Sequence, residues 1–166
     1  MNKILKMIIC NIKVINSGGE YMQCSKIMTK NIKALHPEST AKEAILLMKE
    51  LNCGVIPVVD RNNTLKGIVT DRDIALYIVL NDRDPEDTTL NEFMSTKLIT
   101  CHPDNDVDIA IHKMSRYQVR RIPVVDDEFK LVGLISLGDV AVKVREEHET
   151  YNALEHISEP VTRGGL

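Results

Sequence analysis

Tryptophan is absent from this sequence, and four tyrosines and two phenylalanines bring the aromatic share to only 4%. The core must therefore be built from Ile, Val, Leu and Met. Cysteine is sparse as well. Cys10, Cys24, Cys53 and Cys101 contain no C-x-x-C pair and share no regular spacing, which argues against a zinc site and against a disulfide framework. Reduced thiols in a cytoplasmic protein, with no metal, are the expectation. Neither sign of charge is in excess: 21 basic against 24 acidic residues leave a net charge of −3. With no field to attract a phosphate backbone, no nucleic-acid partner is expected. Long hydrophobic runs are missing too. Met7-Ile8-Ile9-Cys10 follows Lys3 and Lys6 as a leader would, but Asn11 and Lys13 interrupt it and no small-x-small cleavage pattern follows. The stretch falls far short of the ~20 residues a membrane helix needs, so no membrane association is expected. G-x-S-x-G, H-E-x-x-H, P-loop and G-x-G-x-x-G motifs do not occur, and no nucleophile–base pair stands in for them. The chain is not expected to be an enzyme or to require a cofactor.

What the sequence does contain is an internal repeat. Ser25–Ala75 aligns with Asn91–Ala141 at a constant shift and without a gap. Met28 falls on Met94, His36-Pro37 on His102-Pro103, Ala44-Ile45 on Ala110-Ile111 and Met48 on Met114. Ile56-Pro57-Val58-Val59-Asp60 falls on Ile122-Pro123-Val124-Val125-Asp126, Gly67 on Gly133 and Asp73 on Asp139. In each copy a short strand (Ile32 to Leu35; Leu98 to Cys101) ends at a His-Pro pair. The pair suggests a turn rather than catalysis for His36 and His102. A helix follows with apolar residues at i, i+3, i+4 and i+7: Ala44, Ile45, Met48 and Leu51, then Ala110, Ile111, Met114 and Tyr117. Two β-rich runs (Val55 to Val59 and Leu65 to Val69 in the first copy) flank turn residues and read as a hairpin. A second helix starts after Thr70 and runs to about Leu80. Its counterpart starts after Ser136 and runs to around Glu149.

The unit is β-α-β-β-α, twice over, a mixed α/β (α+β) fold. About fifty residues bury too little apolar surface to stand alone comfortably, so the copies are expected to pack sheet to sheet with pseudo-twofold symmetry. The expected organisation is an N-terminal appendage over 1–22, repeat 1 over 25–80, a polar linker over 81–90, repeat 2 over 91–149 and a tail over 150–166. Met22, after the Ser17-Gly18-Gly19 break, is an alternative natural start.

The repeated Ile-Pro-Val-Val-Asp, followed by Gly67-Ile68-Val69-Thr70-Asp71-Arg72-Asp73 and by Gly133-Leu134-Ile135-Ser136-Leu137-Gly138-Asp139, resembles the signature of CBS domains. These are the paired units named after cystathionine β-synthase, and a pair is called a Bateman module. The resemblance covers about Ser25 to Lys143. Read from the residues alone, Thr70-x-x-Asp73 and Ser136-x-x-Asp139 are capping boxes at helix N-termini. The same helix ends suit a phosphate, so the two readings stand side by side. The resemblance implies that the hydroxyl meets the phosphate or ribose region of a nucleotide, and that the Asp accepts from the two ribose hydroxyls.

It also implies two clefts, each combining the Thr/Ser-x-x-Asp of one repeat with residues of the other. Thr70, Arg72 and Asp73 are expected with Leu98, Ile99, Val119, Arg120, Arg121 and Pro123. Ser136 and Asp139 are expected with Ile32, Lys33, Cys53, Gly54, Val55 and Pro57. Arg120-Arg121 aligns with Gly54-Val55, and Arg72 with Gly138. Arginine offers a planar fork of donors to phosphate where Gly and Val offer none. The Asp73 cleft is therefore the expected site for AMP, ADP or ATP. The Asp139 cleft is expected to be weaker, empty, or suited to a less charged adenosine compound, and S-adenosylmethionine is a further possible effector of the module. A regulatory module of this kind implies a homodimer, with Ala75, Leu76, Ile78, Val79, Ala141, Val142 and Val144 as candidate contacts or, equally, as intramolecular core, and a regulated protein partner the sequence does not name. The alternative is a ligand-free dimerisation or docking scaffold with vestigial clefts.

Overall fold

The computed structural model describes residues 21–143. The expected appendage, tail, Val144 and the end of the last helix lie wholly or largely outside the described residues. The chain forms two compact units. Of the described residues, one joins 21–30 with Ile99–Val124 and 133–143; the other joins Asn31–Leu98 with Val125–Val132. In chain order the elements are α1 (Cys24–Ile27), α2 (Ala41–Leu51), β1 (Val55–Val59), β2 (Leu65–Thr70) and α3 (Asp71–Leu80). After a 3-10 turn at Leu90–Glu92 come α4 (Val107–Tyr117), β3 (Arg121–Val125), β4 (Leu131–Ser136) and α5 (Leu137–Lys143). Strands β1 and β2 form one two-stranded antiparallel sheet, and β3 and β4 form another.

In the unit that holds the first repeat, Thr40 starts α2 with a capping box. Its side chain accepts from the Glu43 N–H, and Glu43 Oε2 accepts from the Thr40 N–H at 2.8 Å. Only Ala41, Ala44 and Met48 are buried on this helix. Ile45 and Leu51, expected in the core, are 41% and 39% exposed. They lie on either flank of the i, i+3, i+7 stripe, and two small alanines facing the sheet leave a contact too narrow to cover the flanks. The other copy repeats this: Val107, Ala110 and Met114 are buried, Ile111 is half-buried, and Tyr117 is 43% exposed.

The expected first strands shrink to single residues. Leu35 makes one parallel bridge to Val58, and Cys101 one to Val124. The His-Pro pairs stop both ladders at once, because proline brings no N–H to extend them. β1 is buried along its whole length, and its register sets Val55 opposite Thr70. The end of β2 and the start of α3 are thereby held beside Gly54, whose carbonyl accepts from the Asp71 N–H at 3.2 Å.

The segment that precedes each repeat is also part of a core. Thr88 and Leu90 are 1% and 0% exposed and complete the unit of the first repeat, with the Ala41 N–H on Thr88 O (2.8 Å) and the Leu90 N–H on Ser39 O (2.9 Å). Cys24 and Ile27 do the same in the other unit, with the Val107 N–H on Met22 O (2.8 Å) and the Cys24 N–H on Asn105 O (2.8 Å). Met94 lies over Gly67 and Met28 over Gly133, so close that a Cβ on either glycine would meet sulfur at 2.5 or 2.6 Å.

Candidate functional site

Both Thr/Ser-x-x-Asp segments are capping boxes with nearly identical geometry. Asp73 Oδ2 accepts from the Thr70 N–H (3.0 Å) and hydroxyl (2.7 Å), while the Asp73 N–H donates to Thr70 Oγ1 (3.1 Å). Asp139 Oδ2 accepts from the Ser136 N–H (2.9 Å) and hydroxyl (2.6 Å), while the Asp139 N–H donates to Ser136 Oγ (3.0 Å).

The two carboxylates differ at the second oxygen. Asp139 Oδ1 accepts from Lys143 Nζ at 3.1 Å and from the Thr29 hydroxyl at 3.5 Å. Burial pushes the Asp139 carboxyl up, but the Ser136 hydrogen bonds and the Lys143 ammonium outweigh it and hold the group below the usual carboxylate range. Among the described residues nothing occupies Asp73 Oδ1. The position aligned with Lys143 is Tyr77, whose ring stacks on Phe93 with centroids 4.9 Å apart and whose hydroxyl turns to Glu92.

The remaining expected residues divide between the units. Thr70, Arg72, Asp73 and Leu98 lie in one, and Ile99, Val119, Arg120, Arg121 and Pro123 in the other. Ser136 and Asp139 lie in the latter, whereas Ile32, Lys33, Cys53, Gly54, Val55 and Pro57 lie in the former. Pro57 and Pro123 lend their carbonyls to Leu35 and Cys101 at 3.1 and 3.0 Å. Ile32 and Leu98 pack on the cluster of Val59, Leu65, Val125 and Leu131. Lys33 is committed to Glu50 at 2.8 Å, and the Cys53 thiol donates to Val55 O at 3.4 Å. The side chains of Arg72, Arg120 and Arg121 make no ion pair among the described residues.

Sequence reasoning missed Asp71. A Cβ on Gly54 would meet Asp71 Oδ2 at 2.8 Å, so the glycine is there to admit a carboxylate. The aligned pair is Arg120 and Leu137, with the same backbone bond (2.9 Å) but an arginine side chain and no carboxylate. The signal that could have found it is this second difference between otherwise matching repeats. A cavity of about 510 Å³ lined by His36, Asp60, Arg61, Lys66 and Asn91, among others, contains none of the expected ligand residues. Its Lys66 is paired with Asp60 at 3.2 Å, and His36 Nδ1 is hydrogen-bonded to Val59 O at 2.9 Å. Among the described residues no group of three or more His, Cys, Asp or Glu could hold a metal, and no helix is long and apolar enough to cross a membrane.

Two hairpin-and-helix copies, each closing on a hydroxyl–carboxylate box, define a protein built as a pair of matching repeats. The CBS domain family model matches residues 24–80 and again 90–146, and the chain belongs to that family as a CBS pair. It is 41% identical over 131 residues to the CBS domain-containing protein YhcV of Bacillus subtilis, covering 79% of this chain and 91% of the relative. It is 36% identical to YlbB of the same organism, covering 80% and 89%. Among solved structures, the CBS domain pair of protein MJ0100 in complex with 5′-methylthioadenosine and S-adenosyl-L-methionine superposes with a TM-score of 0.67 at 31% identity, covering 74% of this chain and 95% of that one.

Proposed function

We propose that this chain is a regulatory module that binds an adenosyl ligand through Asp73 and reports its presence to a protein partner. The observation that carries the reading is the division of labour within one carboxylate. Asp73 Oδ2 is used up by the cap, while Oδ1, with no partner among the described residues, can accept from the two hydroxyls of a ribose. Support comes from the CBS pair of MJ0100, which holds two adenosyl compounds. In the arrangement the family resemblance implies, Arg72, Arg120 and Arg121 meet the phosphates of AMP, ADP or ATP, and their lack of acidic partners among the described residues leaves them available. The Ser136 and Asp139 side takes less charged ligands, because Lys143 already neutralises Asp139 and Asp71 lays a negative charge against Gly54. Two copies associate, and the α3 face carrying Leu76, Val79 and Leu80, exposed by 47%, 76% and 77%, is the surface for it.

Calorimetric titration of the chain with AMP, ADP, ATP and S-adenosylmethionine tests the reading. Saturable binding of a phosphorylated ligand, abolished by Asp73→Ala, is expected. No saturable binding of any of the four leaves the scaffold alternative, with both boxes serving only as caps.

A further inference from the structure

Asp73 and Asp139 cap their helices in the same way, yet among the described residues only Asp139 has its second oxygen covered. Lys143 Nζ lies 3.1 Å from Asp139 Oδ1 and also donates to Ile27 O at 2.6 Å, so the ammonium is pinned between the carboxylate and a backbone carbonyl of α1. The Thr29 hydroxyl donates to the same Oδ1 at 3.5 Å. All four residues belong to one unit. The Asp139 side chain is only 17% exposed and that of Lys143 40%, so the lysine is the solvent-facing member of the pair. The first repeat shows that folding does not demand this arrangement. Thr29 aligns with Ser95, and both make the same backbone bridge: Thr29 with Leu134 at 2.9 and 3.0 Å, Ser95 with Ile68 at 2.9 and 3.0 Å. Ile27 aligns with Phe93, and Lys143 with Tyr77. In the first copy those two side chains satisfy each other as stacked rings, and the tyrosine hydroxyl turns to Glu92 at 3.4 Å. Among the described residues neither Ser95 nor Tyr77 bonds Asp73. A backbone that needs no cation at this position receives one only beside Asp139.

Building on the ribose-binding reading of the two boxes, we propose that Lys143 is a built-in competitor of ligand at Asp139, and so the residue that makes a second adenosyl ligand far weaker than the first. An ammonium and a ribose diol are both donors and need the same acceptor. Asp139 Oδ2 is already committed to the Ser136 N–H and hydroxyl, so a ribose gains a full acceptor only when Nζ leaves Oδ1 and Ile27 O together. The Thr29 hydroxyl, at 3.5 Å, is the weaker obstacle and yields first. The exclusion is one of place, and it weakens every ribose-bearing ligand at this box, uncharged adenosine included.

The test is a calorimetric titration of the full chain with adenosine and with S-adenosylmethionine in an Asp73→Asn background. There the first box keeps its cap, because the asparagine carbonyl still accepts from Thr70, but loses its carboxylate. Adding Lys143→Met, which keeps the aliphatic stem and removes the ammonium, should tighten binding roughly 10- to 100-fold, the worth of one charge-assisted hydrogen bond. Lys143→Tyr, copied from Tyr77, should give the same gain, and a melting scan checks that each variant is folded. A further Asp139→Asn should abolish the gain. The parent titrated with AMP separates this proposal from the reading beneath it. A parent that binds no AMP sinks that reading, while a gain in the lysine variants still supports the competitor. A parent that binds AMP, with no gain in either lysine variant, overturns the competitor alone. A gain that survives Asp139→Asn, or no binding of either probe by any variant, also overturns it.

Discussion

Asp73→Asn separates the cap from the ligand. Asp73 Oδ2 accepts two bonds from Thr70, at 3.0 and 2.7 Å, so the face toward Thr70 demands an acceptor. An asparagine must turn its carbonyl to that face, which places its NH2 where Oδ1 stood. The cap survives, losing at most the charge–dipole term of about 0.3–1 kcal/mol, and the melting temperature should fall by no more than a few degrees. The ligand suffers more. An ionised acceptor becomes a donor just where two ribose hydroxyls need to donate. Charge-assisted hydrogen bonds contribute ~1.5–3 kcal/mol each and two on one carboxylate are not additive, so we expect a loss of about 2–3 kcal/mol, roughly 30- to 150-fold in affinity. Asp139→Asn should reverse the pattern. Its Oδ1 is held by Lys143 and Thr29, so the substitution leaves Lys143 without its carboxylate and lowers stability more than it lowers affinity for phosphorylated ligand. Calorimetry and thermal melts on the two variants check both halves. An Asp73→Asn protein that binds AMP, ADP or ATP as tightly as the parent, or an Asp139→Asn protein that loses that binding while keeping its stability, would refute the assignment.

The depressed Asp139 carboxyl makes stability depend on acid. Its folded value lies below its unfolded one, so its contribution is complete above about pH 4 and is lost as pH falls through the folded value. Ser136→Ala removes the hydroxyl bond, and urea midpoints followed from about pH 5 to about pH 2 should fall less steeply than in the parent. The glycines under the methionines make a second comparison. A Cβ at Gly67 meets only the Met94 side chain (2.5, 2.9 and 3.2 Å), whereas one at Gly133 meets Met28 at 2.6 and 2.9 Å and also backbone Thr29 O at 3.0 Å. Gly133→Ala should therefore cost ~1–3 kcal/mol in denaturant unfolding and Gly67→Ala less, because a methionine can swing away and a carbonyl in a bridge cannot.

The hairpins, both long helices and the two boxes were legible because periodicity and turn residues repeat in register. Three things were not. Core residues in short polar surroundings escaped, as with Leu90 at the end of an expected linker and Cys24 near an expected appendage. A single buried apolar residue has no period to announce it. The helix stripes were read too wide, since sequence shows that Ile45 and Leu51 are apolar but not that two alanines bring α2 onto a sheet only two strands across. Asp71 escaped for a different reason. Its importance lies in the missing Cβ of Gly54, and glycine next to a strand is ordinarily read as a turn.

The capping and ligand readings of Thr70-x-x-Asp73 do not compete, and the repeat explains why. A box needs one carboxylate oxygen, and both copies commit the same one. What the second oxygen does is then independent of the helix, and there the copies part: Lys143 and Thr29 in one, nothing among the described residues in the other. The same logic holds wherever aligned positions keep a backbone bond and change the side chain. Gly54 and Arg120 both accept from the first N–H of the following helix, and Leu35 and Cys101 both donate to a proline carbonyl. At such positions the fold is served equally by either residue, so chemistry decides which one stands there. Arginine at 120 where the other copy has Gly54, a carboxylate over that glycine, and cysteine at 101 where the other copy has Leu35 are differences that folding leaves unexplained.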